Sequence, residues 1–166
     1  MNATAPIVVT QRPAYSDDEA FLLELYSSTR AEEVAAWGWE KAQQEGFLKM
    51  QFLARQQAYQ WQYPEADHRI ILLGERPIGQ IIVARLETEI RLVDIALRPE
   101  HRGTGLGTAL ILELLDEALR TGRPVRLSVE RANRARRLYE RLGFACTGDD
   151  GMYFTMEWRP ADQSHD

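Results

Sequence analysis

Two rhythms of apolar residues run along this chain and predict its elements. A period of two marks half-buried strands, and a period near 3.6 marks helices with one buried face. Ile7 to Gln11 reads as an edge strand, followed by Arg12-Pro13-Ala14. Ser16 and Glu19 have the spacing of a capping box, so a helix is expected from Asp17 to about Ser28. Phe21, Leu22, Leu25 and Tyr26 form its apolar face. Arg30 to Glu40 is expected as a connector, with a bend permitted at Gly38 between Trp37 and Trp39. A second helix is predicted from Glu40 to about Trp61, with Phe47, Leu48, Phe52 and Leu53 as core contacts and Met50 supporting them.

The rhythm then switches to strands. His68 to Gly74, Ile78 to Leu86 and Ile90 to Leu97 are separated by turns too short for a parallel crossover, which predicts an antiparallel meander. Leu106, Leu110, Leu114 and Ala118 recur at helical spacing, and Gly122-Arg123-Pro124 stops that helix. Val125 to Val129 is a strand parallel to the one before the helix, because a strand–helix–strand crossover requires it. Asn133 to Leu142 reads as a short helix. Phe144 to Thr147 and Met152 to Trp158 form a hairpin across Gly148-Asp149-Asp150-Gly151. The pattern predicts one α/β domain over residues 1–166, core about 7–158, with a mixed, mostly antiparallel twisted sheet flanked by helices.

Composition narrows the partners. A net charge of −5 argues against a general nucleic-acid binder. No apolar run approaches the roughly 18 residues of a membrane span, and no signal peptide is apparent, so a cytoplasmic protein is expected. Cys146 is the only cysteine; it allows no internal disulfide and is expected as a buried or semi-buried residue. Eighteen arginines stand against two lysines, Lys41 and Lys49, so a covalent lysine mechanism is disfavoured. His68, His101 and His165 read as surface residues.

The most informative stretch follows the central strand: Arg98-Pro99-Glu100-His101-Arg102-Gly103-Thr104-Gly105-Leu106-Gly107-Thr108. Glycines at the start of a helix expose its orphan N–H groups and its positive dipole end, which suits phosphate. A nucleoside-triphosphate loop would need a lysine after the last glycine, and no lysine follows Lys49. A dinucleotide fingerprint would need a glycine where Thr108 stands, and a ribose-binding acid downstream that is missing. The remaining pattern is Arg102-x-x-Gly105-x-Gly107.

That pattern resembles the pyrophosphate-binding motif of the GNAT superfamily of acetyl-CoA-dependent N-acetyltransferases. The string Leu138-Tyr139-Glu140-Arg141-Leu142-Gly143-Phe144 resembles the superfamily's second cofactor segment. The resemblance implies a single-domain GNAT-like fold and transfer of an acetyl group from acetyl-CoA to a primary amine of a small molecule or peptide, through a ternary complex. No metal is expected, and from the charge and the lack of a long apolar run no nucleic-acid or membrane partner. The backbone of Ile95, Ala96 and Leu97 would meet the pantetheine arm, and Arg102, Gly103, Thr104, Gly105, Leu106, Gly107 and Thr108 the pyrophosphate. Tyr139 would protonate the leaving thiolate; otherwise it is a core aromatic. Asn133 either caps its helix or meets the cofactor arm. Arg136, among five arginines from Arg131 to Arg141, either meets the 3′-phosphate or lies on a solvated face.

For the general base the candidates are Glu89, Asp94 and Glu130, with Asp94 preferred because it interrupts an apolar strand. Arg91 would bind a carboxylate on the acceptor, and Trp37 would wall the acceptor pocket or serve core or dimer packing. Exposed tryptophans or the final edge strand would support a homodimer. The rival reading is an acetyl-CoA-binding module without catalysis.

Overall fold

A computed structural model describes residues 8–161. In chain order the elements are β1 (Val9–Pro13), a 3-10 turn (Ser16–Asp18), α1 (Glu19–Ala35), α2 (Lys41–Gln62), β2 (Asp67–Leu73), β3 (Arg76–Arg85) and β4 (Ile90–Leu97). A second 3-10 turn (Pro99–His101) leads to α3 (Leu106–Thr121), β5 (Val125–Glu130), α4 (Ala135–Arg141), β6 (Ala145–Asp149) and β7 (Tyr153–Trp158). The strands form a seven-stranded sheet in the order β1-β2-β3-β4-β5-β7-β6. β1 lies at the edge, antiparallel to β2. The two-residue connection from β2 to β3 makes a hairpin. β4 returns antiparallel along β3: Leu86 N–H donates to Glu89 at 2.9 Å, and Arg98 N–H to Ile78 at 2.7 Å. β4 and β5 are parallel, as the crossover through α3 demands, and pair only over Ile90–Leu92 with Val125–Leu127. β7 runs antiparallel to both β5 and β6. The expected mixed, mostly antiparallel sheet is present.

The described residues fall into two compact units. One comprises residues 8–82 with Asp94–Arg102, and the other Val83–Val93 with residues 103–161. In the first, Leu22 of α1, Phe52 of α2 and Ile70 of β2 form a core cluster, with Phe21, Tyr26 and Leu72 packed against it. In the second, Leu110, Ile111, Leu114, Leu115 and Ala118 of α3 are buried, as are Val125, Leu127 and Val129 of β5.

Several local expectations need correction. α1 continues to Ala35, through residues expected as a connector. Val34, only 1% exposed, extends the apolar face of Leu22 and Leu25 by further turns. Arg30 supports the same turns by pairing with Glu33 at 3.0 Å. In α2, Leu48 and Phe52 are buried, but Leu53 and Met50 are exposed. A helix rich in glutamine and alanine leaves the width of its buried face undecided by pattern alone. Cys146 is exposed: it lies on β6, the strand at the sheet edge, beside a register shift between Cys146 and Gly148. Ile7 and His165 lie outside the described residues.

The start of α1 is also set differently. Asp18, not the Ser16–Glu19 pair, organises it. The two terminal nitrogens of Arg12 donate to the two Asp18 oxygens at 2.8 Å each, and the Tyr15 N–H donates to Oδ2 at 2.8 Å. The Arg12 guanidinium first, and the Tyr15 amide after it, hold the buried Asp18 carboxyl down at about 2 against an ordinary 3.8, with burial opposing them. A depressed carboxyl stabilises the fold above its unfolded pKa and loses that contribution as pH falls through the folded one. Asp18→Asn will therefore be less stable by about 1–2 kcal/mol at neutral pH, allowing for solvent screening at the part-exposed Arg12. Chemical denaturation will show this difference shrinking as pH falls from 3.8 towards about 2. A difference independent of pH would contradict it.

Candidate active site

Asp94 is the one acidic residue of β4, and it sits at a meeting of four elements. Its Oδ2 accepts from Gln80 Nε2 of β3 at 2.6 Å. Gln80 Oε1 lies 2.8 Å from His68 Nε2 of β2. Because the amide nitrogen of Gln80 faces a carboxylate, its oxygen faces the imidazole, and His68 Nε2 must carry the hydrogen. On the other side, Asp94 Oδ1 accepts from Arg55 of α2 at 3.2 Å. His68 is therefore part-buried and hydrogen-bonded, not the surface residue expected, and Gln80 and Arg55 are site residues that the sequence pattern did not single out. Strand alternation puts Arg91 and Val93 on the face of β4 opposite Asp94. Arg91 donates to Ser128 Oγ of β5 at 2.7 Å.

Aromatic rings extend this cluster along α1 and α2. The Arg55 guanidinium carbon lies 5.2 Å from the Tyr59 ring centroid and 5.9 Å from that of Tyr26. Tyr26 is held in turn by Phe52, with centroids 6.0 Å apart, and by Arg30, which donates to its hydroxyl at 3.0 Å. Arg30 also lies over Trp37 and Phe47, at 5.9 and 5.5 Å. Trp37, Trp39 and Phe47 contact one another with centroids 5.1–5.5 Å apart. Trp37 is 38% exposed, so it belongs to a surface aromatic group and not to the core.

Of the other base candidates, Glu130 is exposed. Glu89 precedes β4 and pairs with Arg126 of β5 at 3.4 Å; its other oxygen, Oε2, is buried with no hydrogen-bond partner among the described residues.

The end of β4 is fixed tightly by β3. A Cβ placed on Gly79 would come within 2.4 Å of the Ala96 carbonyl oxygen and 2.8 Å of Leu97 Cδ2. Only glycine lets the two strands approach so closely. The Leu97 carbonyl accepts from Arg102 Nε at 3.1 Å, and Arg102 Nη2 also reaches Ser28 Oγ at 3.3 Å.

The glycine turn opens α3 as its composition predicts. Gly103 and Gly105 have φ of 71° and 87°, and Gly105 caps the helix. The first i→i−4 bond runs from Ala109 N–H to the Gly105 carbonyl at 3.0 Å, so the amides of Leu106, Gly107 and Thr108 precede the helical ladder. At Gly103, Gly105 and Gly107 an added Cβ would meet nothing within 4 Å among the described residues, so the backbone here faces open space. Bare backbone, left-handed turns and a helix start of 16 residues are what an anionic phosphate needs.

Tyr139, on α4, is buried and packs edge-on against Phe144, with centroids 5.6 Å apart. The Phe144 N–H donates to the Tyr139 carbonyl at 3.0 Å, which locks the helix end onto the following segment. Asn133 Oδ1 accepts from the Ala135 N–H at 2.9 Å, so its side chain serves the helix start. α4 accordingly begins at Ala135, later than expected. Arg136 pairs with Glu140 at 2.8 Å and lies 4.0 Å from the centre of the Phe154 ring.

Among the described residues no cluster of three or more His, Cys, Asp or Glu is placed to hold a metal ion, and no helix is long and apolar enough to cross a membrane.

The parallel β4–β5 pair is joined through the glycine turn and the helix it opens. The sequence matches the acetyltransferase (GNAT) family over residues 22–144, and the chain belongs to that family. It is similar to a mycothiol acetyltransferase of Nocardiopsis dassonvillei, 38% identical over 98 residues. The match covers 58% of this chain but only 26% of that protein, so the chain spans about a quarter of the relative's length. Its fold is similar to PaiA N-acetyltransferase from Thermoplasma acidophilum in complex with coenzyme A (TM-score 0.68, 21% identity, 92% of this chain and 99% of that one). It is also similar to an acetyltransferase from Thermus thermophilus (TM-score 0.66, 20% identity, 92% and 97%). The fold is thus the GNAT fold expected from the sequence.

Proposed function

We propose that this protein transfers an acetyl group from acetyl-CoA to a primary amine of a small molecule or peptide, in a ternary complex. The observation that carries this reading is the glycine turn, with Gly103 and Gly105 in left-handed conformations and bare amides at the start of α3. In this reading the amides from Gly103 to Thr108 hold the pyrophosphate, with Arg102 beside them. Ile95, Ala96 and Leu97 offer main-chain groups to the pantetheine, as an added strand would pair. Arg136 serves the 3′-phosphate and Asn133 stands at the cofactor arm. Trp37 forms part of the acceptor's wall; Arg91 lies on the other face of β4 from Asp94, bonded to Ser128, and takes no part in this reading.

The chemistry balances on two groups. The acceptor arrives as an ammonium and gives one proton to the Asp94 carboxylate, which later passes it to water. The free amine attacks the thioester carbon; the new C–N bond forms and the C–S bond breaks. Tyr139 gives its phenolic proton to the leaving thiolate, and the second proton lost from the acceptor nitrogen restores the phenol.

Thiol release from acetyl-CoA with a panel of primary amines tests the activity. Turnover with at least one amine, abolished in Asp94→Asn, is expected; micromolar acetyl-CoA binding without turnover on any amine would favour the non-catalytic module. That second reading draws on one observation: both Asp94 oxygens already have protein partners.

Gly105→Val tests the phosphate turn separately. At φ 87° a β-branched residue is strained by roughly 1–3 kcal/mol and tilts the amides it should present. Acetyl-CoA affinity will fall at least about tenfold, read by calorimetry, while the fold persists; unchanged affinity would move the phosphates elsewhere.

A further inference from the structure

The arginines of α4 and the turn before it stand in two different states. Arg131 pairs with Asp149 at 3.2 Å and Arg136 with Glu140 at 2.8 Å. Both guanidinium carbons also lie over the Phe154 ring, 5.1 and 4.0 Å from its centre. Arg134, Arg137 and Arg141 are exposed instead. Their side chains make no hydrogen bond, ion pair or ring contact among the described residues. Elsewhere in the chain even exposed arginines find an acceptor: Arg76 meets Glu100, Arg120 the Asp116 carbonyl and Arg159 the Glu157 carboxylate.

The three unpaired arginines share one face of the helix. Arg134 is the N-cap of α4, already in helical conformation, and Arg141 is its last residue. Offsets of three and seven residues bring them to one side, and the buried Tyr139 lies on the opposite side. Along the axis they are separated by about 4.5 and 6 Å. Like charges at these offsets repel one another, and Arg134 puts a further positive charge at the positive end of the helix. No acid on this face relieves them, because the one acid of α4, Glu140, is held by Arg136. A row kept against the stability of its own helix marks a surface for an outside anion.

We propose that this face of α4 docks an acidic segment of another protein, whose carboxylates meet Arg134, Arg137 and Arg141 in order. A guanidinium donates two parallel N–H bonds to one carboxylate, so three of them read a row of acids in register. The spacing suits a polypeptide. An acidic helix repeats its side chains at the same offsets of three and four residues, and an extended segment brings alternate side chains to one side about 6.7 Å apart. Nucleic acid fits less well: the net charge of −5 repels a long polyanion, and the row is only about 10 Å long. The docking face is turned away from Tyr139, so this inference goes beyond acetyl transfer and does not depend on it.

The test follows fluorescence anisotropy of a labelled octaglutamate peptide added to the full chain at low salt, with octalysine and a thymidine oligonucleotide of equal length for comparison. Saturable binding of octaglutamate is expected, lost in about 1 M salt, where the Debye length is about 3 Å. The triple variant Arg134→Ala, Arg137→Ala, Arg141→Ala will bind it at least about tenfold more weakly, at two- to threefold for each exposed pair removed. Its melting temperature will stay within a few degrees of the parent's, since no contact is lost. A second triple variant, Arg76→Ala, Arg120→Ala, Arg159→Ala, removes the same charge elsewhere and will bind octaglutamate within about twofold of the parent. Octalysine will not bind. Absence of saturable binding to the parent, or equal losses in the two triple variants, would overturn the proposal. So would an oligonucleotide held as tightly as octaglutamate, which makes the row a phosphate surface. Displacement of octaglutamate by acetyl-CoA would overturn it too, by assigning the row to the donor. The acetyltransferase reading fails separately: folded protein that takes up octaglutamate but no acetyl-CoA contradicts that reading alone.

Discussion

Replacing Tyr139 with phenylalanine will lower turnover about a hundredfold or more while acetyl-CoA affinity changes less than about threefold. A phenol's ordinary pKa of about 10 lies about 1.5 units above that of a thiol, about 8.5, so the transfer is uphill by only roughly 2 kcal/mol. Phenylalanine keeps the ring that packs against Phe144 and the buried volume of the site. It removes only the hydroxyl. The melting temperature will therefore move by a few degrees at most, and the loss will appear in kcat. A variant with full turnover would make Tyr139 a packing residue, the role its burial alone would support.

The second large effect concerns Gly79, which touches none of the proposed chemistry. Gly79→Val places a Cβ 2.4 Å from the Ala96 carbonyl oxygen and 2.8 Å from Leu97 Cδ2, distances real side chains do not tolerate. A backbone carbonyl inside a sheet can yield only if its strand moves. The expected destabilisation is about 2–3 kcal/mol, which for a domain of this size lowers the melting temperature by roughly 4–12 °C. Ala96 and Leu97 are the residues that yield, so acetyl-CoA affinity will fall as well. Gly46→Ala is the matched control. Gly46 lies in α2 with open space around it, so alanine there will be neutral or stabilising by up to about 1 kcal/mol. Thermal melts of the two variants check both statements; a Gly79→Val protein as stable as the parent would contradict the close approach of β3 to β4.

How much of this could be read from the chain follows the distance in sequence between cooperating residues. The turn from Arg98 to Thr108 and the segment Leu138 to Phe144 are contiguous, and each combines a turn, a helix start or end and a distinctive residue type. Such local signals survive without knowledge of the fold. The strand order around β4 was equally legible, since short connections force antiparallel neighbours and a crossover helix forces a parallel one. Asp94 was visible as an acid in an apolar strand. Its partners were not. His68, Gln80 and Arg55 come from β2, β3 and α2, and none is unusual in its own segment. Their meeting depends on strand register and on where α2 lies, which periodicity does not encode. The same limit explains Asp18. A capping pattern at Ser16 and Glu19 was available locally, but Arg12, six residues before Asp18, outcompeted it through two charge-assisted hydrogen bonds. Gly79 was hidden for another reason: a glycine in a strand signals close approach of something, and only the structure says that it is the end of β4.

The central claim is that the glycine turn and the end of β4 bind acetyl-CoA. Calorimetric titration of the full chain with acetyl-CoA, with NAD and ATP as controls, tests it most directly. Micromolar binding of acetyl-CoA, with neither control taken up, is the predicted result. No heat with acetyl-CoA from protein that melts cooperatively would contradict it, and would leave the turn at Gly103 and Gly105 as a means of starting α3 and nothing more.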